Sequence, residues 1–249
     1  MTFGAFFDDN GTHGPAKVRV FAGYVGTKDE WEAFGAKWLT LLSDAGVPYF
    51  RAFDCVRGEK TFAGVPEAQR LEYYARAIGI ITERSILGTA VIGKHQDPQG
   101  GWLSRAGSDA EWHHSTYRDV VKFGLTRMVE DFEQRWPGEL ASVIIEQGTD
   151  MDMRLAVDAY LELKDSWPPY LRVFEGSPVF RSKTDHLELQ AADVFAYEVG
   201  REDYRRYYQQ DEAPREEWAL LQQHAVRNGG SLNAQVHVKH LHIRLKGPD

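Results

Sequence analysis

The stretch from Phe3 to Thr12, with the sequence FGAFFDDNGT, constrains the fold more than any other part of the chain. An apolar run there ends in two adjacent carboxylates, Asp8 and Asp9, and then in an Asn-Gly pair. Buried strands read as apolar runs bounded by turn residues, and Asn-Gly favours a chain reversal. We therefore predict a core strand that delivers Asp8 to its end. The alternative is that both acids are turn residues bonded to their own backbone.

The rest of the chain alternates strand-like and helix-like patterns, which predicts an α/β fold. The alternation over Lys17–Gly26 predicts the second strand of an antiparallel N-terminal hairpin. Further strands are predicted over Tyr49–Phe53, Ser85–Lys94, Leu140–Ile145 and Leu171–Phe174, and helices over Lys28–Asp44, Pro66–Arg84, Trp112–Trp136, Met151–Leu163 and Thr184–Arg206. Because Leu140–Ile145 is continuously apolar, helices are expected on both faces of the sheet. Residues 95–111 read as a loop or insertion, and residues 211–249 as a C-terminal helix-and-strand extension packed on the same domain.

Composition excludes several classes of protein. The chain has 249 residues, 43% of them hydrophobic, which is typical of a globular protein rather than a disordered one. Its net charge of −8 argues against a protein that coats duplex nucleic acid non-specifically. The single cysteine, Cys55, excludes an internal disulfide and a cysteine-rich zinc site. Because no long apolar run or signal-peptide pattern occurs, we expect a cytoplasmic protein without a membrane partner.

Three acids stand out by their positions. Asp8 and Glu146 each follow a predicted core strand, and Asp193 lies on the narrow polar stripe of a helix that is otherwise apolar. Gln190 lies on the same stripe, one turn earlier. Carboxylates cluster only around a bound cation or a shared proton, because repulsion and burial both raise their pKa values. Oxygen ligands alone favour Mg or Mn, so a carboxylate metal site is the prediction.

Several segments together resemble the "domain of unknown function 3800" family of bacterial and phage proteins, which is grouped with ribonuclease H-like folds. The matching segments are FFDDNGT at 6–12, AGYVG at 22–26, RAFD at 51–54, VIIEQG at 143–148 and FRSKTDHLELQAADVFAYEVGR at 180–201. The Ser-Lys and Leu-Gln-x-Ala-Asp pattern in the last segment is the most specific. Two positions depart from the family: Asp9-Asn10 replaces Glu-Ser, and Arg51 stands where relatives have histidine.

The resemblance implies a ribonuclease H-like domain over residues 1–210, with a mixed sheet, an antiparallel N-terminal hairpin and flanking helices. It also implies that Asp8, Glu146 and Asp193 form the acidic set at the edge of the sheet. Asp9 and Asp54 are then possible additional metal ligands, with Gln190 as a neighbour at the substrate. A bound Mg or Mn pair would activate water for phosphodiester cleavage.

Three functions are compatible with these features. The first is a metal-dependent nuclease acting on DNA or RNA, with the phosphates contacted by Arg57, Lys60, Arg181 and Lys183. The second is a catalytically silent ribonuclease H-like module that binds a protein or nucleic-acid partner. The third is a hydrolase of a small phosphorylated molecule. The sequence leaves the oligomeric state open.

Overall fold

The computed structural model of the chain describes residues 2–11, 18–84, 86–94, 109–166, 173–208, 213–228 and 238–242. Its strands are β1 (Phe3–Gly11), β2 (Val18–Thr27), β3 (Leu87–Lys94), β4 (Ala141–Glu146), β5 (Val179–Arg181) and β6 (Val238–His242). Its helices are α1 (Lys28–Ala45), α2 (Ala52–Arg57), α3 (Glu67–Thr82), α4 (Asp109–Arg135), α5 (Asp150–Ser166), α6 (Leu187–Tyr208) and α7 (Glu216–Asn228), and a 3₁₀ turn covers Lys60–Phe62.

The strands form one six-stranded mixed sheet in the order β5-β4-β1-β2-β3-β6. Strands β1, β2 and β3 make an antiparallel meander, and β4 pairs parallel to β1. The edge strands β5 and β6 pair parallel to β4 and β3. The mixed sheet, its antiparallel N-terminal hairpin and the flanking helices confirm the predicted α/β architecture.

Strand β1 shows why both faces of the sheet are covered. Phe3, Ala5 and Phe7 alternate onto one face and pack in a core that includes residues of α4 and α5, whereas Phe6 packs on the other face with residues of α1, α3 and α6. Both cores are closed to water: Phe3 and Phe7 in the first are at most 1% exposed, and Trp38 in the second is 0% exposed. From the C-terminal segment, α7 adds Trp218 to the second of these cores, and β6 extends the sheet beside β3.

The predicted strand Tyr49–Phe53 is wrong. Residues 48–51 belong to no strand or helix, and α2 begins at Ala52. The backbone N–H groups of Phe50 and Ala52 donate to side chains of α6 instead of to a neighbouring strand. The hydrophobic Phe50 side chain that suggested a strand packs against Trp38 and Tyr74.

Other boundaries differ in smaller ways. The Asn10-Gly11 pair lies within β1 and not in the turn, since Gly11 still pairs with Arg19. The predicted strand at Leu171–Phe174 is reduced to a bridge between Phe174 and Ala141 among the described residues. Strand β5 was not predicted, and α6 begins three residues later than expected. Most of the predicted 95–111 loop lies outside the described residues. In the described part of the chain, every helix is too short or too polar to cross a membrane.

Candidate carboxylate–lysine site

The sheet register brings two of the predicted acids together. The parallel ladder between β1 and β4 ends with the pair Phe7 and Ile145, so Asp8 and Glu146 follow it side by side. Strand alternation places both on the face of the sheet that carries α6, where Phe6 packs. Asp193, in the second turn of α6, faces the same edge. The three acids that the sequence singled out therefore converge from three separate elements.

The cation between these acids belongs to the chain itself. Lys183 lies in the turn between β5 and α6, and its Nζ donates to Asp8 Oδ2 at 2.6 Å and to Asp193 Oδ1 at 2.7 Å. This ammonium group is largely buried, with 15% of the side chain exposed. We predicted Lys183 as a phosphate contact, but the structure places it inside the carboxylate cluster. We call Asp8, Glu146, Asp193 and Lys183 the carboxylate–lysine site.

The charges of this site are out of balance. Burial disfavours the ammonium of Lys183, but the fields of Asp193, Asp8 and Glu146 outweigh it and raise the pKa of Lys183 above its usual value. Burial also raises the pKa of Asp8, against the attraction of Lys183. For Glu146, burial raises the pKa to about 7. Two carboxylates thus contact one ammonium and a third lies in its field, and the surplus negative charge favours uptake of a proton or of a further cation.

Asp193 also holds a neighbouring element in place. Its second oxygen, Oδ2, accepts a hydrogen bond from the backbone N–H of Ala52 at 2.7 Å, at the start of α2. The residue that precedes α2, Arg51, makes no side-chain cap of its own. Since the first N–H groups of a helix lack partners within it, Asp193 fulfils the capping role from another helix. The position of α2 is thereby coupled to the carboxylate–lysine site.

Gln190 has a different role from the substrate contact that we predicted. Its side chain is fully buried, and its Oε1 accepts from Trp38 Nε1 at 2.8 Å and from the Phe50 N–H at 2.9 Å. Its Nε2 donates to the carbonyl oxygen of Lys183 at 2.7 Å. The amide therefore fastens the turn that carries Lys183 to the core.

The two additional predicted ligands lie in different surroundings. Asp54 is fully buried, and neither of its oxygens has a hydrogen-bond partner among the described residues; Arg51 Nη1 lies 3.7 Å away. Asp9 lies on the opposite face of β1 from Asp8, where Arg19 Nη1 donates to it at 2.6 Å. Within that part of the chain the Asp54 oxygens thus accept no hydrogen bond and have a distant cation in Arg51, whereas Asp9 is directly hydrogen-bonded to Arg19.

A cleft of about 1260 Å³ opens over the site. The acids Asp8, Asp54, Glu146 and Asp193 line it, together with the predicted phosphate contacts Arg57 and Lys60. Arg181 lies outside this lining, and its guanidinium donates to the carbonyl of Phe180. Sequence reasoning missed the far wall of the cleft, which includes Glu198, Arg201, Arg215 and Trp218. The sequence offered one signal for this part of the lining: Tyr197 and Arg201 are four residues apart on α6, on the same face of the helix as Asp193.

The carboxylate oxygens of the site are the ligand atoms that Mg or Mn prefers, but the ammonium of Lys183 occupies the position between Asp8 and Asp193. Glu146 Oε2 and both Asp54 oxygens are buried without a hydrogen-bond partner in the described residues. Within those same ranges, no three Asp, Glu, His or Cys side chains are grouped as a metal site. A metal ion could bind to Asp8 Oδ2 and Asp193 Oδ1 together only after the ammonium of Lys183 had moved away from them.

Glu146 predicts a pH dependence of stability. Its pKa rises from 4.5 in the unfolded chain to about 7 in the folded protein, so the folded state binds more protons between these values. The free energy of unfolding should therefore fall as the pH rises from about 4.5 to about 7, by about 2 kcal/mol once screening at the partly exposed carboxylate is allowed for. Urea unfolding of Glu146→Gln at several pH values should show this slope reduced. A pH dependence that is unchanged in Glu146→Gln would show that Glu146 is not the group responsible for it.

Comparisons with known proteins leave the family of the chain open. No protein-family model matches the sequence, and no curated protein matches it. Among solved structures, a chain from the complex of PCNA with RNase HII of Archaeoglobus fulgidus is similar, with 13% identity over 100% of this chain and 98% of that chain. Its TM-score is 0.40, a similarity too low to add to what the sheet topology and the geometry of the site establish.

Proposed function

We propose that this protein is a metal-dependent phosphodiesterase acting on nucleic acid, and that it belongs to the "domain of unknown function 3800" family. The observation that carries the proposal is the convergence of Asp8, Glu146 and Asp193, from β1, β4 and α6, around the ammonium of Lys183, which contacts Asp8 and Asp193 directly and lies in the field of Glu146. A structural ion pair needs one carboxylate for each ammonium. Here the acids are in excess, as they are where a divalent ion is bound.

In this proposal the three acids hold Mg or Mn once Lys183 has moved outward, with Asp54 as the next available carboxylate. The metal would activate water and stabilise the leaving oxygen. Lys183 would then be free to contact the substrate phosphate, which is its predicted role. Asp193 would position α2, and Gln190 would position the turn of Lys183, through the hydrogen bonds that they make in the folded protein.

The shape and charge of the cleft support a polymeric substrate. Its volume of about 1260 Å³ exceeds the roughly 300–1,000 Å³ that pockets for small molecules usually enclose, which disfavours the hydrolase of a small phosphorylated molecule. Arg57 and Lys60 offer positive charge at its rim, above an acidic floor. A phosphate chain would contact the rim while one phosphodiester reached the acids.

The ion pairs of Lys183 favour a second candidate, a silent binding module. In that case the ammonium of Lys183 would be a permanent counter-ion for Asp8 and Asp193, and no metal would enter. The two candidates differ in how the protein responds to divalent ions.

Titration with Mg and Mn, followed by melting temperature, separates the two candidates. We expect the wild-type melting temperature to rise with metal, because a ligand that binds only the folded state stabilises it. In Glu146→Gln the rise should be lost or much reduced, since this variant replaces a carboxylate oxygen that is buried without a hydrogen-bond partner among the described residues and keeps the size of the side chain. Manganese-dependent cleavage of a labelled oligonucleotide should fall at least about a hundredfold in the same variant.

Glu32→Gln, an exposed position on α1, is the matched control and should respond to metal as the wild type does. A wild-type protein whose melting temperature is insensitive to both metals would overturn the proposal and leave the binding module.

A further inference from the structure

The short helix α2 carries an exposed aromatic ring beside the carboxylate–lysine site. Its first residue, Ala52, is buried and donates its N–H to Asp193, whereas the next residue, Phe53, is 39% exposed and lines the cleft. The guanidinium carbons of Arg51 and Arg57 each lie 6.0 Å from the centroid of the Phe53 ring. We call Arg51, Phe53, Arg57 and Lys60 the Phe53 platform.

The positive charge of the platform is available to a ligand. Within the described residues, Arg57 and Lys60 form no ion pair, and Arg51 has only the buried Asp54 at 3.7 Å. Arg51 is itself 39% exposed. The two guanidinium carbons lie over the ring at 6.0 Å from its centroid, the outer limit of cation–π distance, and Phe53 remains 39% exposed to a further partner.

The backbone at Lys60 is strained in a way that burial does not explain. Lys60 is exposed, yet its φ is +44°, and among the described residues it is the one non-glycine residue with a positive φ. Left-handed backbone is costly for a residue with a Cβ, and such strain concentrates at functional positions. A glycine would adopt this conformation more easily, so a lysine here indicates a use for its side chain.

We propose that the Phe53 platform binds single-stranded nucleic acid, with a base stacked on Phe53 and the adjacent phosphates against Arg57 and Lys60. The inference deepens the proposed function, on which it rests, by naming the form of the substrate. Stacking on an aromatic ring requires a base with a free face, and the bases of a duplex have both faces covered by their neighbours. Because Ala52 is hydrogen-bonded to Asp193, the strand on the platform would lie next to the acids.

Fluorescence anisotropy with a labelled oligothymidylate tests the platform. The measurement is made with chelator present, so that neither metal binding nor cleavage contributes to it. We expect Phe53→Ala to weaken binding about tenfold, and a duplex of the same length to bind more weakly than the single strand. Lys60→Gly should also weaken binding while leaving the melting temperature unchanged or higher, because glycine relieves the left-handed backbone.

Leu161→Ala removes a similarly exposed apolar side chain on α5, outside the lining of the cleft, and this matched control should bind like the wild type. Equal affinities of Phe53→Ala and Leu161→Ala would overturn the proposal. Equal affinity for duplex and single strand would also overturn it, because binding of phosphates by charge alone predicts that result. Since no metal is present, the two failures are distinguishable: this measurement reports binding of the strand, whereas the metal titration reports the carboxylates that the proposed phosphodiesterase requires.

Discussion

Lys183→Met should lower the free energy of unfolding by about 3–5 kcal/mol at neutral pH in the absence of divalent metal. The substitution removes the ammonium that contacts Asp8 and Asp193 at 2.6 and 2.7 Å. Methionine keeps nearly the length of the lysine side chain and its apolar stem. Two buried carboxylates are then left adjacent without a cation. As the pH falls they can take up a proton, so the loss of stability should shrink under acidic conditions. Urea unfolding at neutral and acidic pH measures both effects.

The same variant decides whether Lys183 stands in the place of a metal. If the carboxylates form a metal site, Mg or Mn should restore much of the lost stability of Lys183→Met, and its metal-dependent rise in melting temperature should exceed that of the wild type. Lys37→Met is the matched control: it breaks the exposed pair with Glu83 and should cost less than about 1 kcal/mol without a metal response. If Lys183→Met is destabilised and its melting temperature does not change with Mg or Mn, the site is a structural ion pair.

Gln190→Met should lower the free energy of unfolding by about 3 kcal/mol at any pH. Methionine has nearly the same length but supplies neither the acceptor for Trp38 Nε1 and the Phe50 N–H nor the donor for the Lys183 carbonyl. Each buried group left without a partner costs about 1–3 kcal/mol, and partial relaxation reduces the sum. The loss should be seen by urea unfolding.

The function of the site should suffer in this variant as well. The turn that carries Lys183 would lose its attachment to the core, so the metal response of the melting temperature should weaken although no carboxylate has changed. Gln69→Met, at an exposed position of α3, is the control and should be nearly neutral. Full stability of Gln190→Met would show that the three hydrogen bonds are replaced by other contacts.

Much of the sheet and the acidic set could be predicted from local patterns. The apolar runs before Asp8 and before Glu146 identified two core strands, because a strand that is covered on both faces needs apolar residues at successive positions. The spacing of three between Gln190 and Asp193 placed both on one helical stripe, because side chains three or four residues apart share a face. These signals depend only on neighbours in the sequence.

Local patterns failed where long-range contacts decided the structure. The stretch Tyr49–Phe53 has the composition of a strand, but the hydrogen-bonding groups of Gln190 and Asp193 compete for its backbone and hold it as a loop and the start of α2. Because residue 53 lies in α2 and not in a strand, the side chain of Phe53 is exposed at the cleft. The aromatic platform could not have been found from sequence periodicity.

The sequence by itself determined which carboxylates would gather at one edge of the sheet, because strand alternation and helix periodicity fix the face of each side chain. The tertiary structure alone decided what lies between them. Lys183 is 175 residues from Asp8 and 10 from Asp193, and it meets them only because β1, β4 and β5 pair in one register and the turn after β5 is fastened by Gln190. The choice of cation thus rests on contacts between distant segments, which no local pattern encodes.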